Sequence, residues 1–559
     1  MNICDGLNDA QRGAVFAACP HLLVEAGPGT GKTRVLVCRI VHLIADRGVP
    51  HHSILAVTFT RRAAHELAQR VQIACDLSVY ARTFHAWAYD FLKSWQHACD
   101  DGSVFRPLSL LSEEEAVAIC NELAVALDLD KKRNWYELIS QARQHWPFSF
   151  SDVNVQTLYE AYERRLNEQG YCDYDHLLFK ALQCLQSLEG MRFFADRISH
   201  VLVDEFQDVN AVQYELVRQM ALAGAQLTVI GDSNQAIYGF RGASPHFMTR
   251  FLKDFEGAQS IGLEEVYRCP QTFLDAAQAV LPSGSGRVLV SKVEKDSPIQ
   301  LRSFEDAFQE AEWIAQEIEG LAGGFYMERT GHGMAVRSLA DVAVLYRTHR
   351  VGELIRHRLH EKGIPYTYCS SAADEPDLQR LLQLLDRNEC ERFLDLQVYL
   401  HQLLQILGIE RPSSGLSAFL QLAEGLSGWD GLQELAAGLS YSNTAMCELY
   451  GVNLESVSLL SMHAAKGLEF PVVFLVGMED GGFPLLGSDE AEEARLCYVA
   501  MTRARERLYV SWCNRRKSHH VLNGQGRQSR FIDKMLPYAR LEEKKYAGKG
   551  RRPRQNRLF

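Results

Sequence analysis

Near the start of the chain, an apolar strand, a glycine-rich turn and a helix follow one another in the segment LLVEAGPGTGKTR at residues 22–34. Glycines let the backbone of such a turn close around phosphates, with its N–H groups pointing inward at a helix N-terminus that stabilises an anion. In this pattern Lys32 reaches the β- and γ-phosphates and Thr33 holds Mg²⁺. Ala26 replaces the usual first glycine, but the strand and the GKT sequence are both present, so the segment predicts an α/β fold that binds a nucleoside triphosphate. The predicted phosphate-binding residues are Ala26, Gly27, Pro28, Gly29, Thr30, Gly31, Lys32, Thr33 and Arg34.

A second segment, HVLVDEFQD at residues 200–208, supplies acidic groups suited to hydrolysis. A strand that ends in Asp204 and Glu205 presents one carboxylate to the metal and the next to the attacking water. An acidic pair after a strand is weak evidence alone. Together with the GKT sequence it indicates nucleotide hydrolysis, with Thr33 and Asp204 as metal ligands and Lys32 and Glu205 as catalytic residues.

Apolar, β-branched runs along the chain are typical of buried parallel strands, among them ILAVTFT, LTVIGD, DVAVLYR and VVFLVGM. They cluster at 20–60 and 198–245, then again at 298–346 and 456–510, with helical patterns between them. Purely helical stretches at roughly 89–180 and 370–450 interrupt the two groups. We therefore expect two α/β domains with parallel sheets, each carrying a helical insertion.

Composition excludes several classes of protein. Hydrophobic residues make up 47% and charged residues 23% of the chain, as in ordinary soluble globular proteins. No run of about 18 apolar residues occurs, and the start MNICDGLNDAQ lacks the regions of a signal peptide, so we expect a cytoplasmic protein without a membrane partner. The 14 cysteines include no CxxC pair, which argues against a zinc site, an iron–sulfur cluster or a disulfide framework.

The net charge of −11 speaks only weakly against nucleic acid, because a basic groove can lie on an acidic protein. One segment is strongly basic: from Lys544 to the end, seven residues are Lys or Arg and none is acidic. Its Gly/Pro-rich, apolar-poor sequence predicts a disordered tail over 541–559. The tail could anchor nucleic acid or only aid solubility, and its sequence favours neither.

Further motifs follow in order along the chain, from LNDAQ at residues 7–11 to RLCYVAMTRARERLYV at 495–510. Those between include VTFTRRAA, TFHAWA, YCDYDHLL, IGDSNQAIYGFRGA, LEEVYRCP and SLLSMHAAKGLEFPVVFLVGMEDGGFP. With these motifs the chain resembles the UvrD/Rep/PcrA group of superfamily 1A DNA helicases. The resemblance implies two RecA-like motor domains, ATP and Mg²⁺ as cofactors, and single-stranded DNA as the track. The further contacts with ATP that it implies are the adenine for Gln11 and Tyr267, the ribose for Glu469, and the γ-phosphate for Gln235, Arg268 and Arg503.

The resemblance also implies DNA contacts. The predicted DNA-binding residues are Thr58, Phe59, Arg61, Arg62, Phe84, His85, Tyr238, Phe240, Arg241, His463 and Lys466. Aromatic stacking suits a motor that must accept any sequence, since every base has a π-face. The segment IYGF alone would favour core packing, but beside GDSNQ we expect its aromatic side chains to stack on bases. Arg61-Arg62 stands where the family usually has Asn-Lys, which keeps positive charge but changes its geometry.

The motifs divide the chain as follows: a first motor domain 1A at 1–88 and 176–280, insertion 1B at 89–175, a second motor domain 2A at 281–368 and 452–540, a short insertion 2B at 369–451, and the tail at 541–559. We expect the segment 529–536 to form the last helix of 2A, with no nuclease domain after it. ATP would lie between the two motor domains.

The resulting hypothesis is an ATP-dependent helicase that moves 3′→5′ and acts on single strands and single/double-strand junctions. It needs no small molecule besides ATP, and a nuclease, repair or phage-defence subunit could be a partner. Two alternatives remain: a translocase that strips proteins from DNA without efficient unwinding, and a catalytically inactive DNA-binding scaffold.

Overall fold

The computed structural model describes residues 5–99, 109–130, 132–143, 145–148, 150, 152–282, 287–322, 338–368, 376–387, 396–409, 416, 419–420, 423, 432, 455–516 and 527–541. Within them lie two large sheets in which every strand pair is parallel. This is the α/β architecture with parallel sheets that the alternating strand and helix patterns predict. None of the described helices is both long enough and apolar enough to span a bilayer.

The first sheet has six strands, in the spatial order Tyr80–Thr83, Ile54–Thr58, His200–Val203, Gln226–Gly231, His21–Ala26 and Gln259–Leu263. Its inner strands are buried on both faces, which is why their sequences are continuous apolar runs instead of alternating ones. The helices associated with this sheet are Asp9–Phe16, Lys32–Ala45, Arg61–Cys75, Phe84–Cys99, Tyr174–Gln186, Leu188–Ala195, Ala211–Leu222 and His246–Asp254. Hydrophobic cores fill the space between the sheet and its helices.

The second sheet has seven strands, in the spatial order Tyr366–Tyr368, Val457–Ser461, Val342–Tyr346, Phe470–Leu475, Ala504–Arg515, Ile299–Asp306 and Ala539–Leu541. The helices associated with it are Gln271–Val280, Ala307–Ala322, His349–Glu361, Glu490–Met501 and Arg530–Met535. Two hydrophobic cores again accompany the sheet. The expected last helix at 529–536 corresponds to the helix that begins at Arg530.

The first helical insertion has a core of its own. It contains the helices Glu113–Ala126, Trp135–Arg143 and Val153–Gln169, and the short strands Ser109–Leu110 and Tyr171–Cys172 pair at its base. Its first helix begins with a capping box, because the Ser112 hydroxyl accepts from the N–H of Glu115 while the Glu115 carboxylate accepts from the N–H of Ser112.

The second insertion is described in part, as the helices Pro376–Arg387 and Leu396–Ile406 and a few further residues. Most of the predicted range 369–451 and nearly all of the predicted tail lie outside the described residues.

Packing suggests two changes to the domain boundaries that the motifs predict. The helix Phe84–Cys99 crosses the boundary at residue 88, and Phe91 and Leu92 remain in the core of the first sheet. The helix Gln271–Val280, which was assigned to the first motor domain, instead places Phe273 and Leu274 in a core of the second sheet. We propose that insertion 1B starts after Cys99 and that the first motor domain ends near Leu263.

Candidate nucleotide and nucleic-acid site

The phosphate loop connects the first strand of the chain to the helix that follows it. Two of its glycines have left-handed backbone conformations, with φ of 68° at Gly29 and 86° at Gly31. A Cβ at Gly29 would lie 2.3 Å from the Cβ of Arg268, so only glycine fits there. The ammonium group of Lys32 lies 3.3 Å from the carbonyl oxygen of Ala26. The lysine therefore rests over its own loop, at the place where phosphates would bind.

Gln11 lies buried beside this loop. Its Nε2 donates to the carbonyl oxygen of Thr30 at 2.9 Å, and its Oε1 accepts from the N–H of Asn8 at 3.1 Å. The amide thus links the first helix to the phosphate loop. Contact with an adenine edge stays a prediction for this residue.

Tyr267 lies at the same end of the loop. Its backbone N–H donates to the carbonyl oxygen of Gly29 at 2.9 Å. Its hydroxyl donates to Glu265 at 2.7 Å and accepts from the side-chain amide of Asn8 at 3.1 Å. The residue is 49% exposed, so a face of its ring is available for stacking on a base.

Negative charge is concentrated at the carboxyl edge of the first sheet, in Asp204, Glu205, Asp208 and Asp232. Burial and the Glu205 carboxylate raise the pKa of Asp204 to about 7, against the pull of Lys32. Burial also raises the pKa of Asp208 to about 7 and raises that of Asp232. A bound cation would relieve this crowding of carboxylates.

Glu205 differs from the other three carboxylates. Burial opposes its ionisation, but the charges of Lys32 and Lys466 and a hydrogen bond from Gln207 hold its pKa below the usual value. Its backbone is left-handed, with φ of 50°, which is uncommon for a residue other than glycine. A strained, ionised carboxylate beside the phosphate loop has the properties of a general base.

Lys466 comes from the second sheet and reaches the first. Its ammonium group donates to both oxygens of Asp208, at 2.8 and 2.6 Å, and to the carbonyl oxygen of Gln235 at 2.6 Å. The two charged side chains are 7% and 1% exposed. The arrangement differs from the predicted contact with DNA, because the ammonium group is already bound to protein oxygens. A DNA contact would require Lys466 to leave Asp208.

Arg503 also reaches across the interface. One terminal nitrogen of its guanidinium lies 3.5 Å from Oε1 of Gln235, and the other donates to the carbonyl oxygen of Leu468 at 3.1 Å. Its Nε donates to the carbonyl oxygen of Val499 at 2.9 Å. The side chain is buried, and burial together with the charge of Arg268 lowers its pKa. A buried arginine that faces a carboxylate cluster across a cleft is placed to bind a polyanion there.

Arg268 lies against the phosphate loop and donates to Glu469 at 2.6 Å. Glu469 also lies 3.4 Å from a terminal nitrogen of Arg505. The predicted ribose contact of Glu469 is therefore not preformed, since its carboxylate is held by arginines.

Aromatic side chains form a separate cluster from both halves of the protein. The rings of Phe59 and Tyr238 stack with centroids 5.0 Å apart, and Phe240 meets His463 edge-on at 5.9 Å. Phe240 is 61% exposed, whereas Tyr238 is 5% exposed and lies 5.1 Å below the ammonium group of Lys466. Phe240 is thus available to a base, whereas the ring of Tyr238 is covered by its neighbours, and base stacking by Tyr238 stays a prediction.

Two other predicted DNA contacts need correction. Phe84 is buried in the core of the first sheet. Thr58 is also buried, and its hydroxyl donates to the carbonyl oxygen of Thr60 at 2.8 Å. Both side chains support the strand ends from inside, so they are unavailable to DNA.

The remaining predicted contacts lie nearer the surface. The ring of His85 stacks on that of Tyr174 at 3.8 Å. Arg62 is exposed, and Arg61 is half-buried with a terminal nitrogen that has no hydrogen-bond partner within the described part of the chain. The side chain of Arg241 lies outside the described residues. Among the predicted phosphate-binding residues, Arg34 donates to the carbonyl oxygen of Asp5.

Sequence reasoning missed several residues at the same edges. Asp208 and Asp232 stand in the quoted motifs but were given no role. His349 and Arg350 follow the strand Val342–Tyr346 and are exposed beside the strand that leads to His463. Because the carboxyl ends of parallel strands meet at one edge of a sheet, position after a strand was the signal that could have identified them.

Known proteins match the chain over nearly its whole length. Residues 7–256 match the UvrD/REP helicase N-terminal domain family, and residues 261–373 and 400–515 match the UvrD-like helicase C-terminal domain family. DNA helicase II of Salmonella typhimurium is 30% identical over 658 aligned residues, which cover 97% of this chain and 89% of that protein. DNA helicase II of Escherichia coli gives the same identity and coverage.

ATP-dependent DNA helicase PcrA of Staphylococcus aureus is 26% identical, with 96% of this chain and 87% of that protein covered. The two domain families divide near residue 260, close to the end of the first sheet, and their order along the chain is that of the two parallel sheets. The two sheets are those of two RecA-like helicase domains. The chain belongs to the UvrD-like helicase family.

Proposed function

We propose that the protein is an ATP-dependent DNA helicase that moves 3′→5′ along single-stranded DNA. The observation that carries this proposal is the convergence of two charged groups from the second sheet on the carboxylate edge of the first. Lys466 binds Asp208, and Arg503 reaches Gln235. ATP bound at this edge would contact both motor domains, so hydrolysis would change how they fit together.

Roles within the cleft follow from position and charge. Lys32 neutralises the β- and γ-phosphates, Glu205 takes a proton from the attacking water, and Gln235 orients that water. Arg268 and Arg503 stabilise the charge that develops on the γ-phosphoryl group. Gln11, Tyr267 and Glu469 bind the adenosine part.

Mg²⁺ fits the donor set of the cleft, because hydroxyl and carboxylate oxygens are the ligands it prefers and buried carboxylates are crowded there. Thr33 and Asp204 would hold the ion, which supplies neutralisation of the phosphate oxygens.

For the DNA track, we propose the surface that carries the exposed ring of Phe240. His463 lies beside that ring, and Arg61, Arg62 and His85 follow the ends of neighbouring strands in the first sheet. Stacking on Phe240 and phosphate contacts from the basic residues would bind a single strand without reading its sequence.

A translocase that strips proteins from DNA remains the second candidate. The alignment with the Salmonella relative spans 658 positions against the 559 residues here, so that relative has segments this chain lacks. A shortened second insertion would leave less surface for duplex contact, and a nuclease, repair or phage-defence subunit could then supply it. A DNA substrate would place the protein in the cytoplasm of a bacterium such as those of the relatives.

ATPase assays with and without single-stranded DNA, followed by strand displacement on duplexes with a 3′ or a 5′ tail, test the proposal. We expect DNA-stimulated hydrolysis and displacement only from the 3′ tail. Stimulated hydrolysis without displacement would favour the translocase. Hydrolysis that ignores DNA would contradict both and leave another kind of ATPase, whereas absence of hydrolysis would leave the catalytically inactive DNA-binding scaffold.

A further inference from the structure

A short loop separates the residue that faces the γ-phosphate region from the residue that faces the DNA surface. Gln235 begins the loop and lies within reach of Arg503, whereas Phe240 ends it and is largely exposed. Short 3₁₀ turns at Ser233–Gln235 and Gly239–Arg241 flank the intervening residues. Because the segment is so short, a displacement of Gln235 will also displace Phe240.

Besides Lys466, which binds the carbonyl oxygen of Gln235, the second motor domain contacts this loop at two further backbone positions. The N–H of Gly239 donates to Oε1 of Glu492 at 2.9 Å. The Nε of Arg495 donates to the carbonyl oxygen of Ala236 at 2.8 Å. Both side chains come from the helix Glu490–Met501, one turn apart on the same face. We call this pair of bonds the loop clasp.

The fit at Gly239 is close. A Cβ on Gly239 would lie 2.8 Å from Oε2 of Glu492 and 3.1 Å from its Oε1. A glycine here lets the carboxylate approach the backbone N–H, and a larger residue would displace the Glu492 carboxylate from it.

The helix that carries the loop clasp also positions Arg503. Thr502 caps its C-terminal end, where the N–H and the hydroxyl of Thr502 both donate to the carbonyl oxygen of Tyr498. The Nε of Arg503 donates to the carbonyl oxygen of Val499 in the same helix. A helix of this length moves as a rigid rod of about 18 Å at 1.5 Å per residue. Displacement of the loop clasp is therefore passed to Arg503 without a flexible joint between them.

We propose that Glu492 and Arg495 are positioning residues that couple the DNA-facing Phe240 to Arg503, so that DNA bound to the loop sets the helix that carries Arg503. The inference rests on the proposed function, since it assumes that DNA stimulates hydrolysis. Both bind backbone groups of the loop, and neither belongs to the residues proposed to bind ATP or DNA. Their removal leaves the buried cores of both domains intact.

The test compares Glu492→Ala, Arg495→Ala and their double variant with the wild type, using the full-length protein. Glu490→Ala is the matched control, because Glu490 lies on the same helix but pairs with Arg530 on the surface. Basal ATPase, ATPase at saturating oligo-dT, the dissociation constant for oligo-dT and the melting temperature are measured for each. Glu492→Gln, which keeps an acceptor oxygen for the Gly239 N–H, provides the rescue.

We expect the ratio of DNA-stimulated to basal rate to fall about tenfold or more in the double variant, as kcat with little change in the KM for ATP. Melting temperatures should stay within about 2 °C of wild type, since no core side chain is removed. Glu492→Gln should recover most of the stimulation, and Glu490→Ala should behave as wild type.

Wild-type stimulation in the double variant would overturn the inference and leave the proposed function intact. Equal loss of basal and stimulated rates with a lower melting temperature would also overturn it, because the two residues would then be merely structural. Absence of stimulation in the wild-type protein would instead contradict the proposed function itself.

Discussion

Glu205 illustrates how the cleft sets the chemistry of a single residue. Its left-handed backbone costs about 1–3 kcal/mol, and its carboxylate is buried beside another acid. It stays ionised because Lys32 and Lys466, one from each half of the protein, face it. The ionised state of Glu205, the proposed base, thus depends on both motor domains.

Glu205→Gln is expected to bind ATP but to hydrolyse it at least about a hundredfold more slowly, because an amide cannot take the proton of the attacking water. Lys32→Ala should lose turnover while keeping most DNA affinity, since the lysine faces the phosphate loop and lies away from the aromatic cluster. Phosphate release and fluorescent-nucleotide binding measure these effects, with the exposed Glu256→Gln as control. Near-normal hydrolysis by Glu205→Gln would show that another group is the base.

Phe240 and Tyr238 differ in exposure, so their substitution should have different effects on DNA binding and on stability. Phe240→Ala is expected to weaken binding of oligo-dT by about 1–3 kcal/mol, roughly 5- to 150-fold, with an unchanged melting temperature. Tyr238→Ala removes a buried ring and should destabilise the fold by about 3–5 kcal/mol. Fluorescence anisotropy and thermal unfolding measure the two effects. A lower melting temperature for Phe240→Ala would identify it as a core residue.

At the scale of elements, a buried ionic network joins the first insertion to the first motor domain. Arg143 ends an insertion helix and donates to Asp173 at 2.7 Å, and it also pairs with Glu163. Asp173 caps the motor-domain helix Tyr174–Gln186 through the N–H of His176 at 2.7 Å. The network therefore fixes the angle at which the insertion leaves the motor domain.

Arg143→Ala is expected to lower the free energy of unfolding by about 3–5 kcal/mol, because it leaves two carboxylates buried without their counter-charge. Arg133→Ala serves as the control. It breaks a surface pair with Asp152 and should change the free energy of unfolding little, since exposed ion pairs contribute little. Chemical denaturation measures both, and equal small losses would mean that the network contributes little.

His176 makes the stability of this junction between the insertion and the motor domain depend on pH. Burial, with a smaller contribution from Arg143, lowers the pKa of His176 to about 3, against the opposing charge of Asp173. The Glu163 carboxylate also faces the imidazole, 3.1 Å from its Nε2. Between pH 6.5 and 3 the unfolded chain therefore binds a proton at His176 that the folded chain does not. This group thus removes stability as the pH falls, by up to about 1.4 kcal/mol per pH unit.

His176→Gln should abolish that slope, so its stability relative to wild type rises by about 1 kcal/mol as the pH falls from 6.5 to 5.5. Asp173 and Glu163 interact with the imidazole, so the two proteins are compared between pH 6.5 and 5.5, above the usual range of carboxyl titration. Urea unfolding at a series of pH values measures it, with the exposed His246→Gln as control. Parallel curves for wild type and His176→Gln would show that the imidazole is charged in the fold.

For the whole molecule, contacts between the two motor domains converge on one cleft, through Lys466, Arg503, the packing of Arg268 on Gly29 and the loop clasp. The nucleotide site and the aromatic cluster are therefore two ends of one interface. A ligand that changes the cleft can change the DNA surface without a separate signalling element.

Deletion of residues 544–559 belongs to the same scale, since it tests whether the basic charges of this C-terminal segment contribute to DNA binding. The deletion removes seven Lys or Arg and should reduce oligo-dT affinity mainly at low salt, because such charges act by counterion release. It should also flatten the dependence of log K on log salt concentration. Identical salt slopes for the full and shortened chains would show that the tail only aids solubility.

Local sequence determined the phosphate loop, the acidic pair and the types of most elements. A glycine pattern sets backbone conformation, and a run of apolar side chains sets which faces are buried, so both act within a few residues. The family motifs extended this to the list of residues that line the cleft, including Arg268 and Arg503.

Tertiary structure alone decided which of those side chains are available. Lys466 turned to Asp208, Phe84 and Tyr238 were buried, and the helix Gln271–Val280 joined the second core. Each outcome depends on groups more than two hundred residues away or on packing from several elements at once. The spacing of neighbouring residues does not indicate which residue of another domain will contact them after folding. The loop clasp could therefore be identified only in the folded protein.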